Sequence, residues 1–401
     1  MNIMFFSIPT HGHTNPTIEV VRALTQREHR VRYYSFEPFR ARIEGAGAEF
    51  IPCDDALPPA PGDLDRRMGR DFSLLMEMVI GVTAQLHPHM EEEMRAFRPD
   101  CIVSDSICIW GKLFAKRFGV PLVVSTTTFA FNRYTAKLMK QSLRDVLMMV
   151  TGMPRVMKQL GTLEALGYEP KGVIELLQND NETDTIVYTS RRFQPRSETF
   201  SDRYAFVGPS VVPTVRDETR KERPLVYVSL GTVLNKNQAF YRACIAALRQ
   251  VRCEAVLSVG PDTDIGALGS VPEHIRVYPR VNQLEVLARA DAFITHCGMN
   301  SVMESLYMGV PMVLFPQHPE ERAVANRVAE LGAGVPLRSA REKDIRNAVT
   351  KLLGEPAYAE SAGALSKDMR SCGGAQEAAD FIERVAGAHI EWKKRLKAED
   401  V

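Results

Sequence analysis

Absences narrow the reading of this 401-residue chain before any motif does. It has no CxxC pair. Its seven cysteines (53, 101, 108, 244, 253, 297 and 372) are odd in number, which argues against a disulfide framework or a thiolate zinc site. Four of them sit in apolar stretches and read as buried thiols in a reducing compartment. No apolar run approaches the roughly 18 residues that a membrane span needs. The opening NIMFFSIP breaks at Pro9 and lacks the basic lead of a secretory signal, so a cytoplasmic location is expected. Neither charge sign dominates: the net charge is +1, which excludes polyanion binding as the main task but leaves room for one nucleotide at a local site. There is no short-period repeat and no low-complexity tract. Nucleic acid and membrane are therefore not expected partners.

Hydrophobic residues make up 45% and charged residues 25%, as in a soluble globular protein, and the length calls for two domains. The first half alternates strand and helix. Strands are expected at 2–8, 31–36, 48–52, 101–104, 121–125, 185–189 and 204–207. A long helix covers about 72–97, and a methionine-bearing helical region (Met139, Met148, Met149, Met153, Met157) lies within 128–180. Asn15-Pro16 reads as an N-cap followed by a first helical proline. Residues 208–223 are polar and read as a linker. The rhythm restarts with strands at 225–230, 254–259, 275–278, 292–295 and 312–315, and helices at 238–250, 301–308, 321–331, 341–353 and 375–386. HIEWKKRLK reads as a last helix anchored by Trp392. The expected domains are 1–207 and 224–378, with a helical tail, 379–401, returning to the first. Repeated β-α order implies parallel sheets with right-handed crossovers, and ligands at the carboxyl ends of their strands, in the cleft between the domains.

Four clusters carry candidate chemistry. Pro9 to Pro16 holds His11 and His13 between a strand and a helix start, where a dipole keeps an imidazole neutral and basic. Both histidines also fit a plain loop, and no third ligand stands nearby for a metal. Asp105 ends a strand expected beside His13. It suits either a His–Asp dyad or an N-cap for the helix near 108. Ser229, Gly231 and Thr232 end the first strand of the second half, where small residues lend amides and a hydroxyl to a phosphate, or simply turn. Residues 291–326, DAFITHCGMNSVMESLYMGVPMVLFPQHPEERAVAN, say most. A strand runs into His296, Cys297, Gly298, Asn300 and Ser301 at a helix start, an anion-binding arrangement with Glu304 one turn on for a ribose. Ser301 and Glu304 also match a capping box. Glu320 and Glu321 follow the next strand. Asp262-Thr263-Asp264 resembles a metal-binding DxD but reads as a turn.

The segment from Gly12 to Pro16, SDS around Asp105, SLGT at 229–232, HCGMNSVMES at 296–305, GVPMV at 309–313 and ANRVAELGAG at 325–334 together resemble the bacterial macrolide- and flavonoid-type UDP-glycosyltransferases of glycosyltransferase family 1 over nearly the whole chain. The resemblance implies an α/β protein of GT-B architecture, two Rossmann-like domains whose parallel sheets face a central cleft. It implies His13 as catalytic base with Asp105 as its partner, and no metal or other cofactor. His296, Asn300 and Ser301 are then donor pyrophosphate contacts, Gly298 the close backbone approach, Glu304 the ribose contact, Gln283 a nucleoside contact, Ser229, Gly231 and Thr232 phosphate-side contacts, and Glu320 the holder of sugar hydroxyls. Three positions depart from the family pattern. Arg280 replaces an aromatic that stacks on uracil, Asn282 replaces a proline, and Glu321 replaces a glutamine, adding negative charge near the sugar.

The expected activity is inverting transfer of a hexose, glucose foremost, from a UDP-sugar to a hydroxyl of an apolar or aromatic small molecule, by a monomer or homodimer. The adaptable methionines and the loop at 53–70 are expected to shape the acceptor site. Two rivals share the fold: a non-catalytic nucleotide-sugar-binding helper, and a nucleotide-sugar epimerase or hydrolase.

Overall fold

The computed structural model describes residues 1–56, 72–132, 134–135, 143–170, 181–217, 222–232 and 235–399. The loop expected at 53–70 lies outside the described residues from 57 onward, as do Met139 and the side chains of Met148, Met149 and Trp392. The chain divides into two compact units, 1–211 with 372–401, and 212–371.

The first unit runs β1 (Asn2–Phe6), α1 (His11–Gln26), β2 (Arg30–Ser35), α2 (Arg40–Gly45), β3 (Glu49–Pro52), α3 (Phe72–Phe97), β4 (Cys101–Asp105), α4 (Ile109–Phe118), β5 (Leu122–Thr126), α5 (Leu143–Ala165), β6 (Thr185–Val187) and β7 (Tyr204–Phe206). Its seven strands are all parallel, in the order β3-β2-β1-β4-β5-β6-β7. Ile3, Met4, Phe5 and Phe6 are all buried, as a strand covered on both faces demands. Phe6 stacks on Tyr34 and meets Phe114 edge-on, fixing α4 to the sheet.

The second unit repeats the plan: β8 (Leu225–Ser229), α6 (Gln238–Leu248), β9 (Glu254–Ser258), β10 (Ile275–Tyr278), α7 (Gln283–Leu287), β11 (Ala292–Thr295), α8 (Met299–Tyr307), β12 (Met312–Leu314), α9 (Pro319–Glu330), β13 (Gly334–Pro336), α10 (Glu342–Gly354) and α11 (Pro356–Ser371). Its parallel order is β10-β9-β8-β11-β12-β13. Within each sheet the chain winds outward in one direction, returns to the middle and winds out in the other. The reversal points are β1/β4 and β8/β11, where open α/β sheets bind ligands. No described helix is long and apolar enough to cross a membrane.

Several expectations need correcting. Helix α1 begins at His11, so Asn15 and Pro16 lie inside it. Thr10 takes the cap position, and its carbonyl accepts from the amides of His13 (3.2 Å) and Thr14 (3.1 Å). Pro16 removes one intrahelical hydrogen bond, and Asn15 instead accepts from Arg42 Nη1 at 2.6 Å. Ser301 and Glu304 form no capping box, because α8 starts two residues before Ser301, behind Gly298. Helices α7 and α11 and strand β13 were not foreseen. The helix expected at 375–386 and the last helix are one, α12 (Gly374–Glu399), and the second unit ends at Ser371. Gly387 does not break α12, since Phe381, Ile382 and Ala386 are buried in the first unit's core and tertiary packing outweighs the glycine. Arg27 reinforces that docking through Asp380 (2.6 Å) and Glu383 (2.9 Å). All seven cysteines are free thiols, six of them buried. Met153 packs against the core, but Met157 is 58% exposed.

Candidate functional site

In the first unit, adjacent strands bring His13 and Asp105 together. The pairing of Phe6 with Ser104 sets the ends of β1 and β4 side by side. His13 is the third residue of α1, and Asp105 is the last of β4. His13 Nδ1–H donates to Asp105 Oδ2 at 2.6 Å, with side-chain exposures of only 14% and 2%. The other oxygen, Oδ1, accepts from the Ile107 amide at 2.8 Å. Asp105 is not the N-cap expected for the helix near 108: Cys108 takes that position, and Asp105 holds the turn before it with one oxygen while the other meets His13. With its proton on Nδ1, the ring has its basic lone pair on Nε2. The carboxylate stabilises any imidazolium that forms, while the start of α1 opposes it.

Thr127 was missed. The pairing of Asp105 with Ser125 carries the end of β5 beside β4, and Thr127 Oγ1 lies 3.2 Å from His13 Nδ1. The only sequence signal was its place just past a strand next to β4. His11 meets the ring of Phe39 edge-on at 5.0 Å, a packing contact.

In the second unit, Thr295 pairs with Ser229, so the turns after β8 and β11 are neighbours. Cys297 links β11 to α8 in the left-handed region (φ 68), a strain of roughly 1–2 kcal/mol for a residue with a Cβ. Its amide donates to Thr295 Oγ1 at 3.1 Å, which holds the bend. The His296 ring fits between two glycines. A Cβ on Gly231 would stand 2.6 Å from its Nε2, and one on Gly298 would stand 2.5 Å away. Nδ1 is enclosed without a hydrogen-bond partner. Burial, with a smaller push from His318, lowers the pKa to about 4, so the ring is neutral. A proton on an enclosed nitrogen without an acceptor is the costlier arrangement, which puts the N–H on Nε2.

Glu304 belongs to a bonded network. Gln283 Nε2 donates to Glu304 Oε2 at 2.7 Å and to Ser301 Oγ at 3.2 Å, and Gln283 Oε1 accepts from the Tyr227 hydroxyl at 3.3 Å. Tyr227, stacked on Phe293, was also missed: it reads as an ordinary core strand residue. The Gln283 amide thus holds Glu304 rather than standing open to a nucleoside. Burial pushes the Glu304 carboxyl up to about 7.

Other candidates spread more widely. The Gly231 amide donates to Ser229 Oγ at 3.2 Å. Thr232, Arg280 and Glu320 are exposed, Arg280 just past β10 and Glu320 in the first turn of α9. Asn300 sits in the first turn of α8. Glu321 turns back on its own helix start, accepting from the amides of Gln317 (2.6 Å) and His318 (3.0 Å). Burial raises it to about 7 despite those two donors, which removes part of the negative charge expected near a sugar. The DxD-like segment is a turn: Asp262 pairs with Lys236, and Thr263 Oγ1 donates to the Val259 carbonyl. Among the described residues no group of three or more His, Cys, Asp or Glu side chains comes together to hold a metal.

The first unit therefore sets an imidazole against a buried carboxylate. The second offers a helix start, an enclosed neutral imidazole and a buried carboxyl held by an amide. Comparison with known proteins supplies the context. Residues 242–385 match the family model of the erythromycin biosynthesis protein CIII-like C-terminal domain. The chain is 33% identical over 391 residues to NDP-glycosyltransferase YjiC of Bacillus subtilis (strain 168), covering 95% of this chain and 96% of that protein. It is 32% identical over 404 residues to demethyllactenocin mycarosyltransferase of Streptomyces fradiae, covering 95% and 86%. The crystal structure of the glycotransferase of kitacinnamycin superposes with a TM-score of 0.79 at 28% identity, covering 96% of this chain and 98% of that one.

Proposed function

The chain belongs to the bacterial UDP-glycosyltransferases of glycosyltransferase family 1, with their GT-B fold, and from that premise we propose that it transfers glucose from UDP-glucose, with inversion, to a hydroxyl of an apolar or aromatic natural product. Glycosyl transfer of the macrolide and natural-product type is the family's work; the sugar, the stereochemistry and the residue roles are the proposal.

His13 is the general base. Its Nε2 removes the acceptor proton as the acceptor oxygen attacks the anomeric carbon, opposite the leaving diphosphate. The transition state is oxocarbenium-like. Asp105 offsets the charge that His13 gains. General-base help of this kind is typically worth about 10²–10⁴-fold. UDP leaves toward the first turn of α8, where Asn300, Ser301, the helix-start amides and the His296 Nε2–H stabilise growing negative charge. Glu304 accepts from the ribose hydroxyls, and Glu320 from the sugar. The planar guanidinium of Arg280 stacks on the base in place of an aromatic ring. No metal takes part in this scheme.

The observation that carries the reading is the 2.6 Å contact between the His13 ring and the buried Asp105 carboxylate. A helper that only bound nucleotide sugar would need no such pair. The test is acceptor-dependent release of UDP, with the anomeric configuration of the product read by proton NMR coupling. A β-glucoside from the α-linked donor supports the proposal. Retention of configuration, or UDP release without an acceptor at the same rate, overturns it.

A further inference from the structure

We propose that Asn235 is a positioning residue for the nucleotide-sugar donor, fixing the turn that walls in the His296 ring. The inference rests on the reading of the second unit as the donor site. Asn235 is 5% exposed. Its Nδ2 donates to the carbonyls of Gly231 (3.0 Å) and Thr232 (3.3 Å), while Ser229 Oγ holds the Gly231 amide from the other side. The peptide groups around Gly231 are thus gripped at both ends. Gly231 has φ +76, a conformation that glycine adopts without penalty, and its bare Cα is the surface against which His296 lies.

A second glycine backs Asn235. Gly260, just past β9, has φ +85, and a Cβ there would stand 2.5 Å from Asn235 Nδ2. A chain of contacts therefore runs from the end of β9 through Asn235 and the β8 turn to the imidazole, all inside one unit. Two of its links tolerate no side chain. If Asn235 served only to close a loop, the surface at Gly231 would not need to match a histidine ring so closely. Releasing the Gly231 carbonyl lets the turn shift, and His296 loses one wall of its slot.

The test uses the full chain, with UDP as the probe in calorimetry and steady-state kinetics alongside. Asn235→Asp keeps the side chain's size but cannot donate and sets negative charge against two carbonyls. It should raise the UDP Kd and the donor KM by about tenfold or more, with the acceptor KM within about threefold. Gly260→Ala, pressing on Asn235 from behind, should do the same. Val349→Ala removes buried volume from the same unit's core and controls for lost stability: it should lower Tm while leaving the UDP Kd unchanged. UDP affinity in Asn235→Asp within twofold of the unaltered chain overturns the inference, as does a loss that simply tracks Tm across all three variants. Failure of the unaltered chain to bind UDP would overturn the donor reading itself.

Discussion

The two units share the order of their first six strands and put their candidate chemistry at the same topological place, yet treat an imidazole in opposite ways. In the first, His13 has a buried carboxylate 2.6 Å from Nδ1, so a proton arriving on the ring meets a ready counter-charge. In the second, His296 has an enclosed nitrogen with no partner, two glycines for walls and a pKa lowered to about 4. Topology supplies the location in both cases. The surroundings of the rings differ: a carboxylate stands beside one, while burial keeps the other neutral. Burial pushes the Glu304 carboxyl up to about 7 against the opposing pull of the Gln283 amide bonded to it.

The sharpest way to break this comparison is to remove the first unit's counter-charge. Asp105→Asn should cut kcat by about 10³–10⁴-fold, because an amide neither stabilises the imidazolium nor fixes the tautomer. His13→Ala should cut it by at least about 10²-fold, and the double variant should be little worse than the more damaging single one. UDP affinity should stay within about twofold. Turnover of Asp105→Asn within tenfold of the unaltered protein would remove the dyad from the mechanism.

The second unit's carboxyl gives the next largest effect, and its sign is fixed by the direction of the shift. Glu304 is raised in the folded chain to about 7 from an ordinary 4.5. The neutral acid's advantage is therefore full below 4.5 and lost as pH rises through 7. Glu304→Gln carries no such loss. At pH 8 it should be the more stable protein by up to about 3 kcal/mol, reduced by whatever the partial exposure screens, and the difference should vanish near pH 4.5. Denaturant unfolding at the two pH values reads this directly; an equal difference at both would refute it. Glu321, raised likewise, adds its own decline with rising pH to both proteins. His296 works the other way: lowered to about 4 from 6.5, it withdraws stability as pH falls through that window.

Gly298 tests the fit around His296 with less ambiguity than Gly231. Gly298 has φ −60 and ψ 138, ordinary values for any residue, so Gly298→Ala brings no backbone strain. What it brings is a methyl group 2.5 Å from His296 Nε2. Overpacking of that kind typically costs about 1–3 kcal/mol, or roughly 10–100-fold in UDP affinity. Calorimetry showing unchanged affinity would mean the ring can move aside freely.

Much of this arrangement is legible in the sequence, and what is not has a common cause. Strands β10 and β11 fall on the residues expected for them, because short apolar runs bounded by turn residues have few alternatives. The start of α1 was misplaced because Asn15-Pro16 is a strong local cap signal, while the Thr10 carbonyl had already begun the helix. The same error put a capping box at Ser301. Thr127, Tyr227 and Asn235 stayed hidden for another reason. Each acts across a strand register or a turn, on a partner 114, 56 and 4 residues away respectively, through a hydroxyl or amide that any core strand or loop contains. Spacing announces a helix start; it does not announce which neighbour a buried hydroxyl will meet.

The smallest effect probes how completely Asp105 controls the ring. Thr127 Oγ1 stands 3.2 Å from His13 Nδ1, against 2.6 Å for the Asp105 oxygen, so the Nδ1 proton has one strong acceptor and one weak one. Thr127→Val keeps the branched shape and removes only the hydroxyl. A neutral hydrogen bond contributes about 0.5–1.5 kcal/mol, and this one is long, so kcat should fall by no more than about tenfold. UDP affinity should not move. The contrast with Asp105→Asn is the informative part. If Thr127→Val costs as much, the hydroxyl and the carboxylate hold the ring jointly, and the first unit's imidazole depends on two partners where the second unit's has none at Nδ1.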